Sequence, residues 1–180
     1  FALSRKDPEY VGRAKEIQKA QKAVEADTCP ASVVPEVKAV MDTIKTKFSD
    51  ISRKNVGFGS TIFAVKPGDG SAREQAASCQ KVLGGWANIA NEYATKRYRS
   101  NLINWGMLPF IIDEGELPFK NLDYLFLPNI RTAVEEGKSE FDAYVVKDGE
   151  LKPFTLKMGA LTPDEKEIIL KGCLINYYRG

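Results

Sequence analysis

The sequence predicts an α/β fold, and the order of three apolar runs and two helical patterns carries this prediction. A β-type run at residues 60–65 is followed by a helical pattern over 72–83 and a short buried-type strand over 86–90. A second helical pattern over 93–105 leads to another strand-like run at 107–112. Strand, helix, strand, helix and strand in this order are typical of parallel β units, and therefore of an α/β sheet.

The chain before this region predicts an N-terminal helical segment over residues 1–55. Asp7 and Pro8 are residue types preferred at the N-cap and at the first position of a helix. From about residue 35, apolar side chains recur at the spacing of one helical face, namely Val37, Val40, Met41, Ile44 and Phe48. Residues 56–180 then form the α/β body, and we expect the two parts to make one compact unit.

The C-terminal part of the body predicts a hairpin and a last helix. A strand is expected over 123–127, and two further strands over 141–146 and 151–156 flank an Asp-Gly turn signal at 148–149. Thr, Pro, Asp and Glu at 162–165 combine a capping box with proline at the first helical position. We therefore expect a helix to begin there.

Composition excludes several broad classes of protein. The chain has 180 residues, of which 43% are hydrophobic, and its formal net charge is +2. This charge balance does not indicate a nucleic-acid binder. No run approaches the roughly 18 apolar residues of a membrane-spanning helix. The chain begins with Phe1, without a methionine or a secretory leader, which favours an excised domain over a secreted protein.

Cysteine and histidine usage limits the chemistry that the chain can perform by itself. The three cysteines, Cys29, Cys79 and Cys173, are an odd number without a Cys-x-x-Cys pair, which favours a reducing, cytoplasmic location. We interpret Cys79 as a packing residue of its helix. The chain has no histidine, so Ser-His or Cys-His nucleophile pairs and a zinc site within the chain are not expected.

The glycine-rich stretch at residues 67–77 is the strongest candidate for a functional site. Ser71 and Glu74 have the spacing of a capping box at the start of a helix. Arg73 lies in the first helical turn, where a cation is disfavoured by roughly 0.3–1 kcal/mol. A bound anion would reverse this penalty, because a serine oxygen, helix amides and a guanidinium would then converge on it. Both interpretations, anion binding and plain capping, remain open from these residues alone.

Two motifs resemble those of the aconitase superfamily. Residues 68–77 are similar to the Gly-acid-Gly-Ser-Ser-Arg-Glu-His-Ala-Ala signature of its mobile swivel domain, and residues 99–109 are similar to the second conserved run of that domain. The two runs keep the family's order and together span about residues 57–112. Residues 174–179 resemble the family's C-terminal end. The chain is thus similar to the C-terminal swivel domain of aconitase-like hydratases.

This resemblance implies a fold and an activity. The fold would be a three-layer swivelling β/β/α domain with an N-terminal helical extension. The activity would be that of a hydro-lyase on a di- or tricarboxylic hydroxy-acid. Ser71 would act as the base and Arg73 would bind a substrate carboxylate, with Gly70 and Ala72 also at the substrate. A [4Fe-4S] cluster would be held by three cysteines of other domains and by none of this chain, and the isolated chain would be inactive.

Three positions depart from the family pattern. Ala72 replaces the second serine, Gln75 replaces the usual histidine, and Tyr98 stands where the second run often has histidine. The resemblance therefore allows a substrate other than citrate, or loss of activity.

Two further arginines and two other classes of function remain open. Arg13 could supply the extra arginine that such domains contribute upstream, although a solvated helix face is the simpler interpretation. Arg99 belongs to the basic run at 96–99, which could form a solvated face or contact an anion. The alternative functions are a regulatory module that binds RNA or an anion through Arg73 and this basic run, and a structural lid of an inactive relative.

Overall fold

Six strands form one sheet in a computed structural model that describes residues 5–179. In chain order the strands are Ser60–Ala64 (β1), Gly85–Ala90 (β2), Leu108–Ile111 (β3), Tyr124–Phe126 (β4), Glu140–Lys147 (β5) and Glu150–Lys157 (β6). The helices are Tyr10–Glu25 (α1), Glu36–Lys45 (α2), Arg73–Val82 (α3), Lys96–Asn104 (α4), Ile130–Glu135 (α5), Pro163–Leu170 (α6) and Leu174–Tyr178 (α7), with a 3-10 turn at Pro30–Ser32.

The sheet has a parallel half and an antiparallel half. Its strand order is β1-β2-β3-β6-β5-β4; β1, β2 and β3 are parallel, and the remaining pairs are antiparallel. The halves meet at a single residue pair, Ile111 with Lys157. The predicted α/β class is therefore confirmed, and all six strands belong to one continuous sheet.

Helices α3 and α4 connect the three parallel strands, as the sequence predicts. Helix α4 begins three residues later than expected, because Thr95 has an extended backbone and caps the helix by accepting a hydrogen bond from the Tyr98 amide at 3.2 Å. The chain before it, at residues 91–95, is a loop that follows β2. This loop becomes part of the candidate site.

Successive residues of β2 point to opposite faces of the sheet, as the alternation of a strand requires. Ile89 packs in the main core with Phe110, Phe141 and Leu156, under side chains from α5 and α6. On the other face, Asn88 is only 2% exposed and meets the hydroxyl of Tyr98 in α4. The face under α4 is therefore partly polar, while the main core is apolar.

Helix α3 packs against the protein through a different face from the one that contains Cys79. Ala77 is the buried residue of this helix and packs with Tyr98, Leu102 and Met107. Cys79 is exposed, so its interpretation as a packing residue is wrong. The buried side of α3 also includes Gln80, a partly buried polar residue. A search for apolar side chains does not detect it.

The C-terminal predictions are confirmed. Strands β5 and β6 form a hairpin whose turn residues Asp148 and Gly149 both have positive φ, 51° and 74°. This is the backbone of a type I′ turn, which suits the twist of a hairpin. Thr162 and Glu165 form the predicted capping box at the start of α6, with a cap bond of 3.2 Å.

The start of α1 differs from the prediction. Its N-cap is Glu9, without a side-chain cap bond, so the helix begins at Tyr10. Asp7 forms an ion pair with Arg13 and does not cap the helix. The carboxylate that the sequence suggests as a cap therefore neutralises an arginine one turn into the helix.

The N-terminal helices pack against each other and against the sheet. Val37 and Met41 of α2 are buried with Ala20 of α1, which confirms the predicted apolar face. One turn further, Ile44 packs against side chains of the antiparallel half, namely Phe126, Tyr144 and Val146. No helix in the described part of the chain is long and apolar enough to cross a membrane.

We predict that Ile44→Ala lowers the free energy of unfolding by roughly 2–5 kcal/mol, because it leaves a cavity between α2 and the sheet. Ile175→Ala is the matched control. Ile44 is 3% exposed and Ile175 is 57% exposed, so the control should change stability by no more than about 0.5 kcal/mol. Urea unfolding followed by circular dichroism and by tryptophan fluorescence measures both. Separate transitions for the two signals would contradict one cooperative unit.

Candidate functional site

The glycine-rich loop leaves the carboxyl end of β1 and runs beside the loop that leaves β2. The Glu92 amide donates to the Val65 carbonyl at 3.1 Å, and the Ala94 amide donates to the Pro67 carbonyl at 2.9 Å. Because β1 and β2 are parallel neighbours, their following loops emerge at the same edge of the sheet. In α/β folds this edge is where ligands bind.

Gly68 fixes the close approach of this loop to α4. Its φ is +98°, and a Cβ atom at this position would lie 2.5 Å from Cβ and Cγ of Tyr98. Only glycine therefore fits without displacing the loop or the ring. The Gly68 carbonyl accepts two hydrogen bonds, from Nε of Arg73 at 3.0 Å and from Oγ1 of Thr95 at 3.1 Å.

The capping box predicted at Ser71 and Glu74 is not formed. The N-cap of α3 is Ala72, whose carbonyl accepts the first helical hydrogen bond from the Ala76 amide at 3.0 Å. Glu74 is therefore one position too close to the helix start for the box. Ser71 lies in the bend before the cap and is exposed. Because α3 has no side-chain cap bond, its first amides are available to an anion.

Arg73 has no ion-pair partner within residues 5–179, unlike the other two candidate arginines, Arg13 and Arg99. Its side chain is part-buried and is held through Nε by the Gly68 carbonyl. No carboxylate of the described chain lies within ion-pair distance of it, and its terminal nitrogens donate to no described acceptor. A guanidinium anchored in this way keeps two parallel N–H groups for a carboxylate.

Gly70, Ser71 and Ala72 form the exposed part of the same loop. A Cβ atom at Gly70 would meet no atom within 4 Å, so the surroundings do not require glycine there. The structure thus brings Gly70, Ser71, Ala72 and Arg73 together as one continuous segment at the start of α3.

Arg99 is used in a different way. Its Nη1 pairs with Glu165 at 3.3 Å, and its Nη2 donates to the carbonyls of Gly159 at 3.3 Å and Ala160 at 3.1 Å. These contacts connect α4 to the segment that starts α6. Both terminal nitrogens are occupied, so the geometry gives Arg99 a structural role in the described chain.

Arg13 is also neutralised by neighbouring residues. It forms ion pairs with Asp7 and with Glu9, the latter at 3.0 Å. Neither Arg13 nor Arg99 has a hydrogen bond or an ion pair with residues 70–73 in the described chain. The structure therefore does not connect these two arginines to the glycine-rich loop.

The basic run at 96–99 does not form a continuous basic and aromatic surface. Tyr98 is 2% exposed, and its hydroxyl accepts from Nε2 of Gln80 at 3.0 Å and from Nδ2 of Asn88 at 2.9 Å. Its ring is therefore not available to stack on a base. Lys96 and Arg97 alone are exposed.

Two tyrosines, the buried Tyr98 and the half-buried Tyr93, form hydrogen bonds at the loop edge. Burial raises the pKa of Tyr98 above its ordinary value, and burial raises the pKa of Tyr93 as well, with a smaller contribution from Tyr98. The Tyr93 hydroxyl donates to the Phe110 carbonyl at 2.9 Å and so joins the loop after β2 to β3. Both phenols stay protonated at neutral pH and act as hydrogen-bonding groups.

The sequence analysis includes Gly68 in the glycine-rich stretch but does not predict its contact with Tyr98, and it does not identify Thr95. The helical pattern over 93–105 places Thr95 inside the helix, whereas it is the N-cap of α4. Threonine directly before a charged helical start is itself an N-cap signal and could have located the true beginning of α4. The contact of Gly68 with Tyr98 has no local signal, because it depends on how the two loops pack.

The residues of the described chain do not fit an iron–sulfur cluster. They contain no group of three or more His, Cys, Asp or Glu side chains that could hold a metal ion. The cysteines are unpaired and lie on separate elements: Cys29 before the 3-10 turn, Cys79 in α3 and Cys173 before α7.

Two surface cavities, of about 490 and 280 Å³, are lined by other parts of the chain. The larger is lined by residues of the hairpin and of the loop before β4, including Lys120, Asp123 and Lys147. Ser71 and Arg73 line neither cavity. The candidate site is an exposed loop edge.

One known family matches a large part of the chain. Residues 13–115 match the family model described as the aconitase C-terminal domain, which is more than half of the chain. The matched region includes the glycine-rich loop, α3, β2 and α4. The chain therefore belongs to the aconitase C-terminal domain family. No curated protein matches the chain.

We predict that Gly68→Ala lowers the free energy of unfolding by roughly 1–3 kcal/mol, because it forces a side chain into positive φ and against Tyr98. Gly70→Ala is the matched control from the same loop, with no atom within 4 Å of the added Cβ and a φ outside the left-handed region. It should change stability by no more than about 0.5 kcal/mol. Thermal melts of both variants test this, and equal losses would contradict the packing of Gly68 on Tyr98.

We also predict that the protein loses stability as the pH rises above about 10. Burial raises the pKa of Tyr93 and Tyr98, and burial together with Glu36 raises the pKa of Tyr124 to about 12. In the unfolded chain these phenols ionise near pH 10, so the unfolded state loses its protons first and is favoured. The stability that these three tyrosines contribute is therefore fully present below about pH 10. Urea midpoints between pH 8 and 11 measure the effect, and a constant midpoint would contradict it.

Proposed function

We propose that this chain is the part of an aconitase-like hydro-lyase that binds a substrate carboxylate and transfers a proton. Other domains of the same protein would complete the active site. The substrate would be a di- or tricarboxylic hydroxy-acid. Family membership supports the hydro-lyase context, and the glycine-rich loop supports the roles of individual residues.

The observation that carries this proposal is the state of Arg73. Its Nε is held by the Gly68 carbonyl at 3.0 Å, and the rest of its guanidinium has no partner within residues 5–179. A part-buried cation beside the positive end of a helix is unfavourable until an anion binds. Arg13 and Arg99 are already paired. Arg73 is thus the arginine that best suits a carboxylate.

Ser71 is proposed as the base. Its hydroxyl is exposed and does not cap α3, so it is not committed to the backbone of the helix. In the proposed reaction its oxygen, as an alkoxide, takes the proton from the carbon next to the substrate carboxylate. The electron pair left on that carbon forms the double bond as hydroxide leaves the neighbouring carbon. Serine is a weak base in water, and the uncapped helix amides with Arg73 would stabilise its anion.

The remaining parts of such a site must come from elsewhere. The cysteines of this chain are dispersed, so a [4Fe-4S] cluster is proposed on other domains, and no step is assigned to it here. Ala72 and Gln75 stand where the family has serine and histidine; both are exposed, Ala72 at the N-cap of α3 and Gln75 in its first turn. These two substitutions favour a substrate that differs from citrate at the groups they would contact.

In the full-length protein, Ser71→Ala should lower kcat by ~10²–10⁴, with a modest change in KM, because it removes a group needed mainly in the transition state. Since Ser71 does not cap α3, the melting temperature of the Ser71→Ala protein should stay close to that of the parent. Arg73→Lys should raise KM roughly tenfold or more, because it keeps the charge and loses the bidentate geometry. Steady-state kinetics over a panel of di- and tricarboxylic hydroxy-acids measure both changes.

Matched controls are available on the surface of the same chain. Ser49 is an exposed serine, and Arg131 of α5 has a side chain that is 70% exposed. Ser49→Ala and Arg131→Lys should leave kcat and KM unchanged. A Ser71→Ala protein with normal turnover would refute the catalytic assignment, and an Arg73→Lys protein with normal KM would refute the carboxylate clamp.

A further inference from the structure

The orientation of Arg73 depends on a carbonyl that a second loop holds in place. The Gly68 carbonyl accepts from Nε of Arg73 at 3.0 Å and from the hydroxyl of Thr95 at 3.1 Å. Thr95 lies 27 positions from Gly68 along the chain, in the loop that follows β2. The carbonyl is therefore a junction between the candidate site and the start of α4.

Thr95 is itself fixed by its position at the N-cap. Its backbone is extended, with φ −143° and ψ 144°, and its hydroxyl oxygen accepts from the Tyr98 amide at 3.2 Å. The same hydroxyl uses its single hydrogen to reach the Gly68 carbonyl. A threonine or serine hydroxyl can accept and donate at once, whereas an apolar side chain of the same shape can do neither.

The Tyr98 side chain supports the junction from the other side. Its ring lies against Gly68, and its hydroxyl is held by Gln80 of α3 and Asn88 of β2. Gly68 is thus confined between the ring of Tyr98 and the hydroxyl of Thr95. Neither of these groups belongs to the glycine-rich loop.

We propose that Thr95 is a positioning residue for Arg73. It holds the Gly68 carbonyl in the orientation that receives Nε, and this leaves the two terminal nitrogens of Arg73 directed to one carboxylate. The inference rests on the proposed function for its consequence in binding, but the hydrogen-bonded junction can be tested without any substrate. Thr95 touches neither the substrate nor the reacting atoms in this proposal.

The simpler role of Thr95 is to cap α4, and the chain contains a control for that role. Thr162 is the N-cap of α6 and accepts from the Glu165 amide at 3.2 Å, in the same way that Thr95 accepts from Tyr98. Thr162→Val removes a cap as Thr95→Val does, but it does not touch the Gly68 carbonyl. Thr95→Ser keeps both hydrogen bonds and serves as the rescue variant.

The first measurement is the NMR signal of the Arg73 Nε–H group in this chain and its rate of exchange with water. Thr95→Val should shift this signal and speed its exchange several-fold, because the acceptor is no longer held. Thr95→Ser and Thr162→Val should leave both unchanged. An unchanged signal in Thr95→Val overturns the proposal, whatever the activity of the protein.

The second measurement is KM for the carboxylate substrate in the full-length protein. Thr95→Val should raise KM roughly fivefold, as the loss of an ordinary hydrogen bond would, with little change in kcat. A raised KM in Arg73→Lys together with a normal KM in Thr95→Val overturns the positioning role alone. A normal KM in both overturns the carboxylate clamp as well, and with it any functional role of Thr95.

Discussion

The two hydrogen bonds accepted by the Gly68 carbonyl are the constraint on which the candidate site depends. They join the loop after β1 to the loop after β2, and they fix Arg73 and Thr95 relative to each other. The conformation that makes this possible has φ +98° and leaves no room for a side chain beside Tyr98. A parallel β pair places the two loops at one edge, and glycine allows them to touch.

The electrostatics of the loop follow from which charges the tertiary structure neutralises. Arg13 pairs with Asp7 and Glu9, just before its own helix, and Arg99 pairs with Glu165, so both are satisfied before any ligand arrives. Arg73 lies where the helix amides are already positive, and no carboxylate of residues 5–179 forms an ion pair with it. In the proposed function this arrangement costs stability in the empty protein and favours a bound carboxylate, a compromise that is common at functional sites.

The elements that sequence predicts correctly are those decided by contacts within a few residues. The hairpin follows from Asp148 and Gly149, and the start of α6 follows from the Thr162 capping box. The apolar face of α2 follows from the helical spacing of its apolar residues. The same local reasoning was wrong at Ser71, because the helix begins one residue later than the capping box requires.

Sequence by itself determined the α/β class, and it indicated the glycine-rich loop as the candidate site together with the residues proposed to act there. Tertiary structure alone decided which of the candidate arginines Arg13, Arg73 and Arg99 has no ion-pair partner within residues 5–179, since Arg99 meets Glu165 across 66 positions of the chain. It also decided that Thr95 and Tyr98 support Gly68, from 27 positions away in the case of Thr95. The physical reason is that these contacts depend on the packing of separate loops, which no local pattern of residues encodes.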